Sequence, residues 1–246
     1  MGNERLDNEL EALAAAKTRS YITPKCAEVY ERHRFGGRSG RYVNNRELTA
    51  VQNLLHPVEG KILDLACGTG RIAGWLKGLG KEVVGIDYSL TMLYYASAQI
   101  PGRLVCGDAL ALPFSDGTFE GVAIGRLFQH FADIVPFLIE IKRVLRPGGA
   151  VVFDTLRWSP RTLFFLLGVR TVHGVFAHSP AEVREAIRQA GLILEANEAM
   201  FLFAPGLYRY LPFGVVKLLD GVEKQLPTRW RVRTFWKAVK AGESGA

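Results

Sequence analysis

Short apolar runs, each ended by an acid or a glycine, organise the middle of the chain. They are Lys61-Ile-Leu running into Asp64, Glu82-Val-Val-Gly-Ile86 before Asp87, and Arg103-Leu-Val-Cys-Gly107 before Asp108. Two more follow: Phe119-Glu-Gly-Val-Ala-Ile124 before Gly125-Arg126, and Ala150-Val-Val-Phe153 before Asp154. Runs of this length bounded by turn residues predict buried strands. Between several of them, Arg71–Leu79, Ser89–Gln99 and Asp133–Leu145 carry apolar residues at helical spacing. Strands alternating with helices predict a mostly parallel sheet with helices on both faces. Ser179-Pro180 with Glu182 marks the start of a helix reaching Gly191, because it combines a cap, a proline at the first position and an acid in the first turn. A sixth strand at about 192–203 and a seventh at about 233–239 complete a seven-stranded sheet.

The first strand–helix junction is the most informative point. Lys61-Ile-Leu-Asp-Leu-Ala-Cys-Gly-Thr-Gly-Arg-Ile-Ala73 is a strand, a glycine-rich turn and a helix start. Gly68 and Gly70 lack Cβ, so the backbone can turn sharply and let a ligand approach. The helix beginning at Arg71 points its unpaired N–H groups at that ligand. In open α/β sheets, ligands lie at the carboxyl ends of the strands. Asp64, Asp87, Asp108 and Asp154 are all expected there, lining one crevice. Asp87 stands 19 positions after Gly68, about where a second-strand acid meets ribose hydroxyls. A lone Asp is more often a helix cap or a solvated loop acid. Four at strand ends make a site.

Four motifs in this order resemble the class I S-adenosylmethionine-dependent methyltransferases, in the type 11 branch that includes the quinone-biosynthesis C-methyltransferases. The motifs are L-D-L-A-C-G-T-G at 63–70, V-V-G-I-D-Y-S at 83–89, C-G-D-A-L-A-L-P-F-S-D-G-T-F-E at 106–120 and R-V-L-R-P-G-G-A-V-V-F at 143–153. The resemblance covers about residues 45–200 and departs at Ala66, where the family's loop has glycine. It implies a Rossmann-like, mostly parallel seven-stranded sheet and S-adenosyl-L-methionine as cofactor. It also implies roles. Asp64 orients the methionine ammonium, and Ala66, Gly68 and Gly70 form the loop beneath methionine and ribose. Asp87 binds both ribose hydroxyls, and Tyr88 and Met92 pack on adenine. Asp108 accepts from the adenine amino group with Ala109 beside it, and Gly125 and Arg126 edge the methionine part. The turn Arg146-Pro-Gly-Gly149 before the fifth strand is structural.

Gly68-Thr-Gly70-Arg-Ile-Ala73 also fits the dinucleotide pattern G-x-G-x-x-A, so an NAD-binding oxidoreductase is the rival from another class. Asp64 argues against it. A carboxylate directly before the turn faces a pyrophosphate unfavourably but suits a cofactor that carries an ammonium and a sulfonium. A cofactor-binding protein without catalysis is a further alternative.

At 246 residues with 48% hydrophobic content, the chain suffices for one large domain. Residues 1–55 are expected as an N-terminal helical cover and 56–246 as the catalytic domain; the family resemblance implies that Tyr30, Arg34 and Arg41 fold over the cofactor. Met1–Lys17 reads as an amphipathic helix and not as a signal peptide. Three cysteines, at 26, 67 and 106, have no zinc spacing and suggest no disulfide framework. No metal site is expected, and a reducing cytoplasm fits. No apolar run approaches 18 residues, which excludes a spanning helix.

The charge of +7 is uneven. Residues 61–156 hold nine basic against nine acidic side chains, whereas 157–178 hold three against none and 203–246 eight against three. Both basic stretches contain more chain than the fold needs, an insertion at 156–178 and another at 205–231. Loops of that length usually act as lids or binding elements. They mix Trp158, Phe164, Phe165, Tyr208, Tyr210, Trp230 and nearby Trp236 with Arg157, Arg161, Arg170, Arg209, Arg229, Arg231 and Arg233. In the second, Phe213, Val215, Val216, Leu218, Leu219, Val222 and Leu226 form an apolar face expected to pack, with Lys217, Asp220, Glu223 and Lys224 on the solvated side. The two insertions are expected to cover the acceptor site jointly.

The mixture suits a hydrophobic or lipid-like small-molecule acceptor and peripheral contact with an anionic membrane. It would also suit RNA, so an RNA methyltransferase is the alternative. The runs of Leu, Phe and Val and the lack of an RNA-binding motif favour the former. If the acceptor must lose a proton, His130, Asp154, His173 and His178 are candidate bases. His130 is preferred because it follows the fourth strand and histidine titrates near about 6.5. The acceptor atom and the oligomeric state stay open.

Overall fold

The computed structural model describes residues 35–157 and 175–242. Most of the expected N-terminal cover, including Tyr30 and Arg34, lies outside the described residues. So do 158–174 of the first insertion, with Trp158, Arg161, Phe164, Phe165, Arg170 and His173.

The elements run in chain order as α1 (Gly37–Leu55), β1 (Lys61–Leu65), α2 (Arg71–Gly78), β2 (Glu82–Asp87), α3 (Leu90–Ala96), β3 (Leu104–Cys106) and β4 (Phe119–Ile124). There follow α4 (Val135–Val144), β5 (Leu145–Leu156), α5 (Pro180–Gln189), β6 (Ile193–Met200), the single turn α6 (Pro205–Tyr208), α7 (Phe213–Gln225) and β7 (Arg233–Val239). The seven strands lie in the order β3-β2-β1-β4-β5-β7-β6. Neighbours from β3 to β5 are parallel, and β7 runs antiparallel to both β5 and β6. The order reverses between β1 and β4, which is where an open α/β sheet leaves a crevice at its carboxyl edge.

The central strands are buried on both faces, so they read as continuous apolar runs. Leu63, Val122 and Val151 point into a core shared with α4 and α5, through Phe137, Leu138, Ile141 and Val183. Their neighbours Ile62, Ala123 and Val152 point the other way, onto Val51 of α1 and Ile72 and Leu76 of α2. Full burial of such side chains contributes roughly 1.5–3 kcal/mol each. The predicted capping box is present at α5: Ser179 N–H donates to Glu182 Oε2 at 2.6 Å, and Ser179 Oγ accepts from Glu182 N–H at 3.3 Å.

Two expectations change. Arg146-Pro-Gly-Gly149 is no separate turn but the irregular start of β5, where the register against β4 shifts between Phe119 and Gly121. Gly148 N–H donates to Lys240 O and Lys240 N–H to Gly149 O, both at 2.9 Å, so the stretch also ties down the end of β7. In α7 the supposed solvated acids point inward. Arg46 of α1 pairs with Asp220 at 2.7 Å and with Glu223 at 3.1 Å, and Tyr42 Oη donates to Asp220 at 3.0 Å. Among the apolar residues of α7, Val216 is buried whereas Val215, Leu218 and Val222 are exposed. Paired charges bring desolvated acids into the contact, and the helix rotates to suit them.

Candidate active site

A cavity of about 390 Å³ opens at the carboxyl edge of the sheet. Asp64, Ala66 and Gly68 line it from the end of β1, Asp87, Tyr88 and Met92 from β2 and α3, and Asp108 and Ala109 from the loop after β3. Gly125, Arg126 and His130 line it from the segment after β4. One residue of the expected loop stands apart. Gly70 caps α2 in the left-handed region at φ 81°, and a Cβ there would sit 3.2 Å from Ala96, so it packs against α3 outside the cavity lining. Gly68 differs: at φ 56° a Cβ would meet no atom within 4 Å. Ala66 adopts the same left-handed region at φ 57°, a conformation that glycine reaches at lower cost.

The strand-end acids are not equivalent. Asp64 is buried, and its Oδ2 accepts from Ala73 N–H in the first turn of α2 at 2.8 Å. Burial pushes its carboxyl up, against the Ala73 hydrogen bond and the Arg71 cation, and Asp87 pushes it further, to about 7. Asp87 Oδ2 accepts from Gly68 N–H at 2.8 Å and Oδ1 from Ser89 N–H at 2.9 Å, so this carboxyl joins the first two loops. Burial raises it, and these backbone donors oppose the rise. Asp108 is exposed and accepts from Leu110 N–H at 2.9 Å.

Asp154 does not line the cavity with the other three. It is buried behind Arg126, accepts Arg126 N–H at 2.6 Å and is ion-paired with Arg233 of β7. That engagement ends its candidacy as a base. His178 is also buried outside the lining, with Nε2 3.3 Å from Ala132 O, and burial lowers its pKa. Arg41 is exposed on α1.

His130 closes a short 3-10 turn, Phe128–His130, and reaches the lining beside Leu127, Phe131 and Phe137. Its Nε2 is 3.4 Å from Gln129 Nε2, an amide nitrogen that only donates, so His130 accepts there in the tautomer that leaves Nε2 unprotonated. Cys67 also lines the cavity, but burial drives its thiol far above the usual range, with Asp64 and Asp87 adding to the effect, so it is no nucleophile. Among the described residues no group of three or more His, Cys, Asp or Glu could hold a metal.

Sequence reasoning missed Glu47. This α1 residue is buried and pairs with Arg126 at 2.7 Å, Arg71 at 3.4 Å and Arg233 at 3.7 Å. Arg126 and Arg71 also line the cavity, and both guanidinium groups lie 4.8 Å from the Phe35 ring centroid. The signal was present. Val43, Glu47, Val51 and Leu54 fall on one helix face, and an acid inside an apolar stripe needs a buried partner.

The methyltransferase domain family matches residues 63–153. A demethylmenaquinone methyltransferase from Thermus thermophilus is 43% identical over 173 residues, which is 68% of this chain and 70% of that protein. A ubiquinone/menaquinone biosynthesis C-methyltransferase from Desulfotalea psychrophila is 42% identical over 106 residues, covering 40% of this chain and only 43% of the relative. Among solved structures, an S-adenosylmethionine-dependent methyltransferase from Thermotoga maritima, described as a possible histamine N-methyltransferase, aligns with a TM-score of 0.64 at 22% identity. The alignment covers 89% of this chain and 98% of that one. Geranyl diphosphate C-methyltransferase from Streptomyces coelicolor aligns with a TM-score of 0.60 at 17% identity, covering 80% and 77%. At these identities the structures speak for the fold, and the Thermus relative speaks for the family. The oxidoreductase reading of Gly68–Ala73 gives way to that match. The chain belongs to the class I S-adenosylmethionine-dependent methyltransferases of quinone-biosynthesis type.

Proposed function

We propose that the cavity binds S-adenosylmethionine and presents its methyl group to a lipophilic, quinol-type aromatic acceptor. One observation carries this reading. A single cavity joins Asp64, Asp87 and Asp108 to a wall of Leu127, Phe131 and Phe137 that also bears His130. The acid end suits the cofactor. Asp64, buried and held near neutrality, gains its charge back when an ammonium approaches. Asp87 spends one lone pair of each oxygen on backbone donors, which leaves another on each for a ribose hydroxyl. Tyr88 and Met92 offer faces for adenine, with Asp108 and Ala109 at its edge. Gly68 leaves the space that a Cβ would fill. Gly125 and Arg126 flank the methionine portion.

When bound, the cofactor supplies a methyl group on an already activated sulfonium. The protein's own task is alignment and exclusion of water. His130 accepts the proton that the acceptor releases. The name of the Thermus relative, 43% identical, supports a quinol acceptor. Labelled-methyl transfer from S-adenosylmethionine, measured with demethylmenaquinol beside small amines such as histamine, tests the acceptor class. Incorporation into the quinol is expected, and incorporation into the amines alone would sink the reading.

Asp64 gives the cofactor assignment a separate test. Burial lifts its carboxyl to about 7 in the absence of a ligand ammonium, with the Ala73 N–H and Arg71 opposing and Asp87 reinforcing the rise. A ligand ammonium prefers the ionised form. Affinity for S-adenosylhomocysteine is therefore expected to rise with pH, by up to about tenfold per unit below 7, and to level off above it. Methylthioadenosine keeps the ribose and adenine but lacks the ammonium, so its affinity should miss this steep component. The effect on folding has the opposite sign: the folded protein holds the Asp64 proton more tightly, so this group's contribution is lost as pH rises from about 4 to 7. Calorimetry of both ligands across pH 5–8 reads the difference, and parallel pH profiles would overturn the role of Asp64.

A further inference from the structure

The second insertion bears on no part of the cavity: none of residues 205–231 is in its lining. It packs instead on α1, with its acids turned inward. Asp220 and Glu223 are its sole acids, and both are engaged with Arg46, while Arg231 Nη2 donates to Glu223 O at 3.0 Å. Phe213 meets Tyr42 edge-on at 5.7 Å, and the Arg38 guanidinium lies 4.2 Å from the Phe213 ring centroid. What remains outside is apolar and cationic. Val215, Leu218 and Val222, spaced as i, i+3 and i+7, make an exposed stripe in which Leu218 is 67% accessible. Tyr210 at 69% and Trp230 at 57% are exposed on the flanking turns. Lys217, Lys224 and Arg229 are exposed; Lys224 also reaches Asp220 at 3.5 Å, and no exposed acid accompanies the three in the insertion.

We propose that this face docks on the surface of an anionic lipid bilayer. Charge complementarity selects the occupant. An aliphatic stripe with cations beside it and aromatics at its ends matches a helix lying in the interface of a membrane that carries negative headgroups. Nucleic acid would leave Val215, Leu218 and Val222 against polar backbone. Among the described residues no helix is long and apolar enough to cross a membrane, so attachment is peripheral and salt-sensitive. The docking stands on this surface alone and holds whatever acceptor the cavity takes. If the acceptor is lipophilic, docking brings the enzyme to its source.

The test is co-sedimentation of the full chain with phosphatidylcholine vesicles, with and without 30% phosphatidylglycerol, at low and high salt. Binding to the anionic vesicles at low salt is expected, with at least about tenfold weaker binding to neutral vesicles or in high salt. The double variant Leu218→Glu, Val222→Glu should lose at least about tenfold in vesicle affinity while keeping its melting temperature and its S-adenosylhomocysteine affinity. Lys217→Glu, Lys224→Glu should abolish the preference for anionic vesicles. Equal binding to both vesicle types would overturn the proposal, as would unchanged binding by the Leu218/Val222 variant. Dimerisation through this face without vesicle binding would assign it to a second copy of the chain and overturn the proposal equally.

Discussion

Replacing Glu47 by glutamine is expected to destabilise the protein by about 3–5 kcal/mol, the cost of removing one partner from a buried ion cluster. Glutamine keeps the volume and the hydrogen-bonding oxygen, so the loss isolates the charge. Arg126, Arg71 and Arg233 would then lose the buried carboxylate that all three share. In a chain of this size the melting temperature should fall by roughly 10 °C. Glu59→Gln, in the exposed loop before β1, should stay within about 0.5 kcal/mol of the parent. The acid limb gives an independent signature. Burial alone would raise the Glu47 carboxyl, but the combined field of Arg126, Arg233 and Arg71 overrides it and holds the group at about 2. Its stabilising contribution is present above the unfolded value near 4.5 and disappears as pH falls towards 2. Denaturation curves should show this limb in the parent and not in Glu47→Gln. A variant as stable as the parent at pH 7 would remove the cluster from any role in stability.

The second large effect concerns the cofactor. Asp87→Ala should weaken S-adenosylhomocysteine binding by a factor above roughly 100. Two charge-assisted hydrogen bonds to hydroxyls, at about 1.5 kcal/mol or more each, give that factor. The same substitution frees Gly68 N–H and Ser89 N–H, so the glycine loop also loses its anchor to β2. Asp116→Ala is the control. Asp116 pairs with Arg143 at 2.7 Å but is 79% exposed, far along the loop from the cavity lining, and its removal should change affinity less than about twofold. Titration calorimetry decides, with melting curves to show that both variants fold. Equal affinities would contradict the ribose assignment.

The acids at the ends of β1, β2 and β3 were legible because periodicity and turn chemistry are local properties. An apolar run ended by Asp puts that Asp at a strand's carboxyl end whatever the rest of the chain does. The left-handed turn at Gly68 and Gly70 and the capping box of Ser179 and Glu182 were legible for the same reason, since each involves residues within a few positions of one another. Asp154 shows the limit. It lies at a strand end as expected, but β7, inserted antiparallel beside β5, brings Arg233 onto it from 79 positions away and withdraws it from the cavity. No local pattern encodes that meeting.

Glu47 and α7 mark the same boundary from the other side. The sequence shows an acid in an apolar stripe, and it shows an amphipathic segment between β6 and β7. It does not show that Arg46 reaches Asp220 and Glu223, and that contact decides which face of α7 turns outward. Hydrophobic periodicity ranks faces by apolar content, whereas a buried ion pair between elements some 177 positions apart can outrank it, because leaving those charges desolvated and unpaired costs more than exposing three aliphatic side chains. By itself the sequence determined the sheet, the glycine turn and the acids that the cavity gathers. The packing of α1 decided which charges are spent inside and which apolar surface faces out, since only the assembled fold sets the distances on which electrostatic and burial energies depend.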